Sequence, residues 1–286
     1  MSHEPPLPSV AVFGLGIIGS QAADRIGAAG YPLRTWSRNS RDRVDFEAEP
    51  GNAAAQSDLL AIYLKDAPAV RDLFEKLRPE LNRSKTLVNH ATIDLATTEF
   101  LVTECEQLGV SFLNAPFTGS KMAAAGGKLV YYAGCDDDTL APLRTLLEAT
   151  SSKILAVGSA ANATVIKLTT NLISASTVQA LSEALRINLA SGVSPGTFLE
   201  AVQANACGSL LASMKIPTMA AGDYDPHFSL GNMLKDARYA LDLASRHGLD
   251  TPGIATTAGR MQSLADAGLG DLDFSVLFKQ FASHDA

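Results

Sequence analysis

The feature that most constrains the fold is a run of 31 residues, Ala160 to Ala190, that contains neither proline nor glycine. A continuous helix of that length would be about 45 Å long, because an α-helix rises about 1.5 Å per residue. One compact domain cannot cover such a helix on all sides. The run therefore predicts a helix that joins two halves of the chain and packs against a second subunit.

Before this run, short apolar segments alternate with helical ones. Seven segments are predicted as strands: Val10–Gly14, Leu33–Trp36, Asp58–Leu64, Thr86–His90, Val110–Ala115, Leu129–Gly134 and Ile154–Gly158. Helices are predicted between several of them, including Pro68–Arg78 and Ala96–Leu108. Such alternation predicts a mostly parallel sheet with helices on both faces. The polar segment Arg38–Asn52 receives no assignment.

After Gly158 the strand pattern stops. Helices are predicted at Pro195–Ala206, Leu210–Ala221, Phe228–His247 and Pro252–Ala267, and a glycine near the end of each helical run is typical of a helix stop. The sequence thus predicts an α/β domain over residues 1–159. An all-α domain, expected to bind substrate and to dimerise, follows over residues 160–286.

Composition narrows the function classes. The formal net charge of −7 argues against a general nucleic-acid binder, which would carry a basic field. No apolar run reaches the roughly 20 residues that a membrane helix needs, and the N-terminus does not resemble a secretory signal. The three cysteines and five histidines lack the spacing of metal ligands. We expect a cytoplasmic protein with no metal site, no membrane association and no nucleic-acid partner.

The segment "VAVFGLGIIGS" places three glycines between a strand and a helix. The first glycine permits a tight turn, the second lets the backbone approach a pyrophosphate, and the third lets helix and strand pack closely. The helix N-terminus then offers free N–H groups to the phosphates. This context predicts a Rossmann domain whose cofactor-binding loop consists of Gly14, Leu15, Gly16, Ile17, Ile18 and Gly19.

The end of the second predicted strand distinguishes between two cofactors. A carboxylate there would bind the ribose 2′-hydroxyl of NAD. The strand is followed instead by Ser37, Arg38 and Asn39, with Arg41 nearby. The Arg38 guanidinium can bind a 2′-phosphate, and Ser37 and Asn39 can donate hydrogen bonds to it. The predicted cofactor is therefore NADP(H).

Four motifs in order resemble one family. They are "GLGIIGS" (Gly14–Ser20), "NAPFTGSKMAAAGGKL" (Asn114–Leu129), "GSAANATVIKLTTN" (Gly158–Asn171) and "FSLGNMLKDARYA" (Phe228–Ala240). The chain resembles the β-hydroxyacid dehydrogenases, which include 3-hydroxyisobutyrate dehydrogenases and glyoxylate/succinic semialdehyde reductases. "TGSK" is most similar to the version in the latter branch. Asn114 stands where the family usually has an acid, and Met122 and Ala123 replace the usual lysine and proline.

The resemblance implies roles for further residues. Lys167 would be the catalytic lysine, and Asn171 its neighbour in the substrate site. Lys235 would reach the nicotinamide end of the cofactor. Further residues that would line the cofactor are Leu64, Lys65 and Thr92. Thr118, Gly119 and Ser120 would hold the substrate carboxylate, because their hydroxyl and backbone N–H groups suit an anion. Asp236 would face the substrate pocket or pair with a base such as Arg238.

The residues themselves support the lysine assignment. Lys167 and Asn171 are four residues apart, so they share one face of a helix. An ammonium on an otherwise apolar helix needs a reason, because an unpaired buried charge is costly. A carbonyl that accepts hydride gives that reason, since Lys167 can stabilise the growing negative charge and donate the proton.

We therefore predict an NADPH-dependent reductase that converts a small aldehyde or keto acid, of the glyoxylate or succinic semialdehyde type, to the hydroxy acid. A homodimer is expected. One alternative is a 3-hydroxyisobutyrate-type dehydrogenase working in the oxidative direction. Another is an imine reductase, although those enzymes generally carry an acid or tyrosine in place of the lysine. A binding module without activity is a third, and the presence of Lys167 argues against it.

Overall fold

The structure, a computed structural model, describes residues 6–284, with side chains as far as residue 281. The described strands are β1 Val10–Phe13, β2 Leu33–Trp36, β3 Leu59–Ile62, β4 Thr86–Asn89, β5 Ser111–Asn114, β6 Phe117–Thr118, β7 Leu129–Gly134 and β8 Ser151–Gly158. The described α-helices are α1 Ile17–Ala28, α2 Pro50–Ala55, α3 Ala67–Leu77, α4 Leu95–Leu108, α5 Lys121–Ala125, α6 Asp137–Leu140, α7 Arg144–Glu148, α8 Ala160–Ala190, α9 Pro195–Ala204, α10 Leu210–Ala221, α11 Leu230–Arg246 and α12 Pro252–Leu264.

The chain divides into two compact units, Met1–Lys167 and Leu168–Ala286, so the division falls within α8. All described strands lie in the first unit, and the second is helical. The predicted fold class, a Rossmann domain with a mostly parallel sheet followed by an all-α part along a long helix, is confirmed.

The strands of the N-terminal unit form one sheet in the order β2-β1-β3-β4-β5-β7-β6, and β8 pairs with β7. The first five are parallel, whereas β7 runs antiparallel to β5 and β6. The sequence predicted every strand except β6, whose two residues are too few to show a pattern. It also did not predict that β7 runs antiparallel to β5 and β6. The connection from β6 to β7 is shorter than the roughly dozen residues that a crossover between parallel strands needs.

The core of the N-terminal unit explains why its strands are so apolar. All four residues of β1 are fully buried, as expected for a parallel strand with both faces covered. Val10 and Val12 belong to the same apolar cluster as Ala22 and Ile26 of α1. This packing fixes α1 against the sheet and places its N-terminus beside the end of β1.

In the C-terminal unit, α8 buries one side of its later turns. Ala175 and Val178 pack with Leu230 and Met233 of α11 in one cluster, and Leu185 belongs to a second cluster with α9 and α10. Over residues 6–284, no helix combines the length and hydropathy that crossing a membrane requires.

The structure differs from the sequence prediction in several details. The unassigned segment contains α2 and a single bridge between Thr35 and Phe46 at the edge of the sheet. The helix predicted at Phe228 begins at Leu230, because the Ser229 side chain caps it. The last predicted helix ends three residues earlier, at Leu264, before a π-helical turn. A 3-10 helix at Phe274–His284 was not predicted.

Candidate active site

The glycine loop lies where β1 ends and α1 begins. A Cβ atom on Gly14, whose φ is +104°, would lie 2.3 Å from the Tyr63 carbonyl oxygen. A Cβ on Gly19 would lie 1.9 Å from the Gly14 oxygen. A Cβ on Gly16 would have no described atom within 4 Å. The first and third glycines are therefore required by the packing of the chain itself, and the second borders open space that a ligand can occupy.

The N-terminus of α1 suits an anion. Gly16 caps the helix without any side-chain hydrogen bond, and the first turn contains no acidic residue. The first N–H groups of a helix have no partner within the helix, and they carry the positive end of its dipole. The loop and helix start thus fit a dinucleotide pyrophosphate, for which the Gly16 position leaves room.

The end of β2 carries the side chains that were predicted to select NADP(H). The Ser37 hydroxyl donates to the Asn39 carbonyl oxygen at 2.6 Å. Arg38 and Arg41 are exposed, and neither forms an ion pair with another residue in the described range 6–284. Arg38 and Arg41 are therefore both accessible cations, and Arg38 is the nearer of the two in sequence to the end of β2.

A neighbouring ion cluster was missed by the sequence analysis. The Arg43 guanidinium binds Asp45 through Nε and Nη2, at 2.8 and 3.0 Å, and Asp24 of α1 at 2.6 Å. Hydrogen bonds from Arg43, together with one from Thr35, lower the pKa of Asp45. The hydrogen bonds to Asp45 and Asp24 raise the pKa of Arg43. The cluster ties the segment after β2 to α1, and it pairs a cation with the Asp45 carboxylate, which also accepts a hydrogen bond from Thr35 of β2.

Leu64, Lys65 and Thr92 follow β3 and β4 at the carboxyl ends of those strands. Because β1, β3 and β4 are parallel neighbours, these residues share one sheet edge with the glycine loop. That edge is where open α/β sheets bind their ligands. Lys65 is exposed, and Thr92 is half-buried.

The predicted carboxylate turn links β6 to α5. Thr118 pairs with Val130 of β7, while Thr118 and Gly119 remain exposed. The Ser120 hydroxyl accepts a hydrogen bond from the Ala123 N–H at 3.3 Å and so caps α5. Its own O–H proton is still available to a ligand. The structure therefore places all three residues of the turn together at an accessible position.

Lys167 lies in the second turn of α8 and is buried, although its side chain carries an ammonium. Asn171 follows four residues later on the same helix. In the C-terminal unit, the Asn171 amide donates to Asp236 Oδ2 at 2.6 Å. Lys235 Nζ lies 2.9 Å from Asp236 Oδ1. Three predicted residues, one from α8 and two from α11, are thus brought together around one buried carboxylate.

Asp236 pairs with Lys235 rather than with Arg238, the base named in the sequence prediction. The base beside it is Lys235, whereas Arg238 donates to Gln262 Oε1. Because one Asn171 N–H group is held by Asp236, the amide oxygen of Asn171 is directed away from that carboxylate. Contact between Asp236 and a substrate stays a prediction.

Two family descriptions match the chain. Residues 9–158 match the NAD binding domain of 6-phosphogluconate dehydrogenase. Residues 161–281 match the NAD-binding of NADP-dependent 3-hydroxyisobutyrate dehydrogenase. The chain belongs to the β-hydroxyacid dehydrogenase family. The predicted resemblance is confirmed, and a nicotinamide dinucleotide is the cofactor of this family member.

This β-hydroxyacid dehydrogenase is similar to one curated relative in sequence and to solved structures in fold. Glyoxylate/succinic semialdehyde reductase 2 of Arabidopsis thaliana is 27% identical over 95% of this chain and 78% of its own. The structure of 3-hydroxyisobutyrate dehydrogenase from Mycobacterium tuberculosis, with L-serine, superposes with a TM-score of 0.89 at 23% identity, covering 96% of this chain and 99% of that one. An imine reductase from Pseudomonas sp. shares the fold with a TM-score of 0.64 at 22% identity, covering 96% and 99%.

His90 is a further titratable group near the strand ends of this β-hydroxyacid dehydrogenase. Its ring stacks on Tyr63, with centroids 4.4 Å apart, and its Nδ1–H donates to the Ala115 carbonyl at 2.8 Å. Burial lowers the pKa of His90 to about 4. The ring is therefore neutral at ordinary pH and closes the end of β4, so it is a poor candidate for the catalytic acid.

Proposed function

We propose that this protein is an NADPH-dependent reductase of a small aldehyde or keto acid, of the glyoxylate or succinic semialdehyde type. The observation that carries the proposal is the buried Lys167 ammonium, followed on α8 by an Asn171 whose amide is held by Asp236. The names of the relatives support the substrate class. The physiological direction can also be the oxidation of a 3-hydroxy acid.

The role of Lys167 follows from the charge that develops on the substrate carbonyl during hydride transfer. When bound, the cofactor supplies hydride to the substrate carbonyl carbon. Negative charge then grows on the carbonyl oxygen, and the Lys167 ammonium stabilises that charge and donates the proton. In the oxidative direction the neutral amine accepts the hydroxyl proton. In the reductive direction the lysine loses its positive charge together with the proton. This change of charge during the reaction explains why an apolar helix carries a lysine.

The substrate carboxylate is assigned to the turn formed by Thr118, Gly119 and Ser120. Two hydroxyls and the backbone N–H groups of the turn offer several donors to one anion. Asn171, whose amide nitrogen is held by Asp236, is assigned to orient either the lysine or a substrate oxygen. The exposed Met122 on α5 provides an apolar surface next to this turn.

The test is consumption of NADPH by the purified protein with glyoxylate, succinic semialdehyde, methylmalonate semialdehyde and one cyclic imine, each also tried with NADH. Turnover of a carboxylated aldehyde supports the proposal, and loss of that turnover in Lys167→Met with unchanged NADPH binding supports the role of the lysine. A Lys167→Met enzyme as active as wild type would remove Lys167 from the mechanism.

The imine reductase fold neighbour supports a second candidate. If the cyclic imine alone is reduced, the protein is an imine reductase and not an aldehyde-acid reductase. Lys167 argues for the first candidate, because reduction of an aldehyde needs a group that both stabilises an oxyanion and donates a proton.

Preference for NADPH over NADH is assigned to Arg38. The Arg38→Ala variant should bind NADPH about ten- to hundredfold more weakly, equivalent to about 1.4 to 2.7 kcal/mol, and NADH about as well as wild type. The matched control is Arg43→Ala, whose guanidinium already binds Asp45 and Asp24, and which should lower stability rather than change the ratio of the two affinities. Equal losses for both cofactors in Arg38→Ala would contradict the assignment.

We also propose a homodimer in the cytoplasm. Ile173 and Ile187 on α8 are 62% and 66% exposed, and 14 residues of helix bring them back to about the same face. Leu210 on α10 is 78% exposed as well. Exposed apolar side chains at this helix favour contact with a second copy. Light scattering should give twice the mass of the chain for wild type and the monomer mass for Ile187→Glu; a wild-type monomer would exclude the dimer.

A further inference from the structure

A buried chain of hydrogen bonds connects the sheet to the start of α8 within the N-terminal unit. Asn89 Nδ2 donates to Asn114 Oδ1 at 2.9 Å. Asn114 Nδ2 donates to the Ala160 carbonyl and to Thr164 Oγ1, both at 2.9 Å. Thr164 Oγ1 lies 2.7 Å from Thr98 Oγ1. Asn89, Asn114 and Thr98 are completely buried, and Thr164 nearly so.

The donors in this chain of hydrogen bonds all point in one direction. Thr98 Oγ1 donates to the Asp94 carbonyl at 3.1 Å, so its proton is used and the Thr164 hydroxyl is the donor between the two threonines. Both Asn89 Nδ2 protons are also used, because the second goes to the Ala91 carbonyl at 3.1 Å. Each donor therefore has one acceptor, and no alternative pattern satisfies the same groups.

The first turn of α8 is fixed from a second side. Gly134 of β7 is the register partner of Asn114 on β5. A Cβ on Gly134 would lie 2.5 Å from the Ser159 carbonyl oxygen and 2.8 Å from Ala163 Cβ. The helix start thus touches the backbone of β7 directly, while Asn114 holds it through the adjacent strand.

This arrangement controls the position of Lys167. Ala160 and Lys167 are seven residues apart, about two turns, so they point in nearly the same direction from the helix axis. Thr164 lies between them, three residues before the lysine. A rotation or slide of α8 that breaks the hydrogen bonds to Ala160 and Thr164 therefore moves Lys167 with it.

We propose that Asn114 and Thr164 are positioning residues for Lys167: their hydrogen bonds set the rotation and height of α8, and so the place of the catalytic amine. The inference rests on the proposed function of Lys167. Neither residue touches the reacting atoms, so their loss lowers kcat through geometry. Misplacement of a reacting group by about 1 Å costs about 100-fold in rate.

Two substitutions at one residue separate hydrogen bonding from packing. Thr164→Val keeps the shape but removes the hydroxyl, and Thr164→Ser keeps the hydroxyl but removes a methyl group. We expect kcat of Thr164→Val to fall about tenfold or more, with KM and the NADPH dissociation constant changed less than about twofold. Thr164→Ser should retain most of its kcat. The reverse order, an active valine variant and an impaired serine variant, would show that the residue only packs and would overturn the inference.

A matched control, Ser159→Ala, weakens the same end of α8 without removing any hydrogen bond between Asn89, Asn114, Thr164 and Thr98. The Ser159 hydroxyl accepts from the Asn162 N–H at 3.2 Å and makes no contact with Asn114. Ser159→Ala should lower thermal stability while kcat stays at the wild-type value. If Ser159→Ala and Thr164→Val reduce kcat equally, stability of the helix end explains the effect and the positioning role fails.

A second site keeps the test decisive if Thr164→Val does not fold. Thr98→Val removes the acceptor of the Thr164 hydroxyl from the opposite side, and it should lower kcat in the same way. Wild-type turnover on the substrate panel is measured first. Failure of the wild type on every substrate refutes the proposed function, whereas an active wild type with unaffected valine variants refutes the positioning role alone.

Discussion

His90 gives the most quantitative prediction about this fold. The side chain is buried between Tyr63 and Tyr131, with ring centroids 4.4 and 4.8 Å away. Its Nδ1–H is bound to a carbonyl, and burial lowers its pKa from 6.5 to about 4. The native protein must therefore keep the ring neutral at a pH at which the unfolded chain would already carry the charge.

The sign and size of the pH effect on stability follow from the difference in the pKa of His90 between the native and unfolded states. Above about pH 6.5 the ring is neutral in both states, and stability does not depend on it. As the pH falls from 6.5 towards 4, the unfolded chain binds a proton that the native state does not, and unfolding becomes easier. Two and a half pKa units correspond to about 3 kcal/mol in total, and about 2 kcal/mol is already lost at about pH 5.

Urea unfolding of wild type and His90→Asn at about pH 7.5 and about pH 5 measures the contribution of His90 to the pH dependence of the unfolding free energy. Asparagine cannot ionise, yet it can donate to the Ala115 carbonyl from a similar position. The substitution will lower the unfolding free energy at both pH values. Carboxylates elsewhere change the pH dependence of stability equally in both proteins, so their effect cancels in the comparison. We expect wild type to lose about 2 kcal/mol more than His90→Asn between the two conditions. Equal losses would show that the ring is not held neutral by burial.

Further predictions concern the glycine loop and a buried ion pair. Gly16→Ala should keep the melting temperature and bind NADPH about tenfold more weakly in a fluorescence titration, since its Cβ enters the ligand space. Gly19→Ala should instead lower the melting temperature, because its Cβ would lie 1.9 Å from a backbone oxygen; the opposite order would contradict the loop assignment. Lys215 Nζ lies 2.6 Å from Asp273 Oδ1, with both side chains buried. Lys215→Met should cost about 3 to 5 kcal/mol of unfolding free energy in a urea titration, because it leaves the Asp273 carboxylate buried without its cation. Lys76→Met, which breaks the exposed pair with Asp72 at 2.8 Å, should cost less than about 1 kcal/mol; equal losses in the two variants would contradict burial of an unpaired charge as the cause.

Local spacing explains why much of the fold and part of the site were predictable. The glycine loop needs only three glycines between a strand and a helix, and the pair of Lys167 and Asn171 needs only a spacing of four in a helix. Likewise, α8 lacks helix breakers throughout, and both its ends were predicted correctly. Each of these features is encoded within a few consecutive residues.

The contacts that orient the site are encoded differently. Asn171 and Asp236 are separated by 65 residues, and Asn114 and Thr164 by 50. Which amide meets which carboxylate depends on the packing of whole elements, so a single sequence does not reveal it. The contact between Arg43 and Asp24 was missed for the same reason, because Asp24 lies on α1 and Arg43 in the segment after β2.

Asn114 shows what such contacts add to a motif. At this position the motif resembles a family that usually has an acid, and an ionised carboxylate accepts hydrogen bonds but donates none. In this chain the side chain must donate to both Ala160 and Thr164, while it accepts from Asn89. A carboxylate would face the Ala160 carbonyl oxygen without a proton between them. An amide in place of the acid therefore reverses the direction of hydrogen bonding at the start of α8.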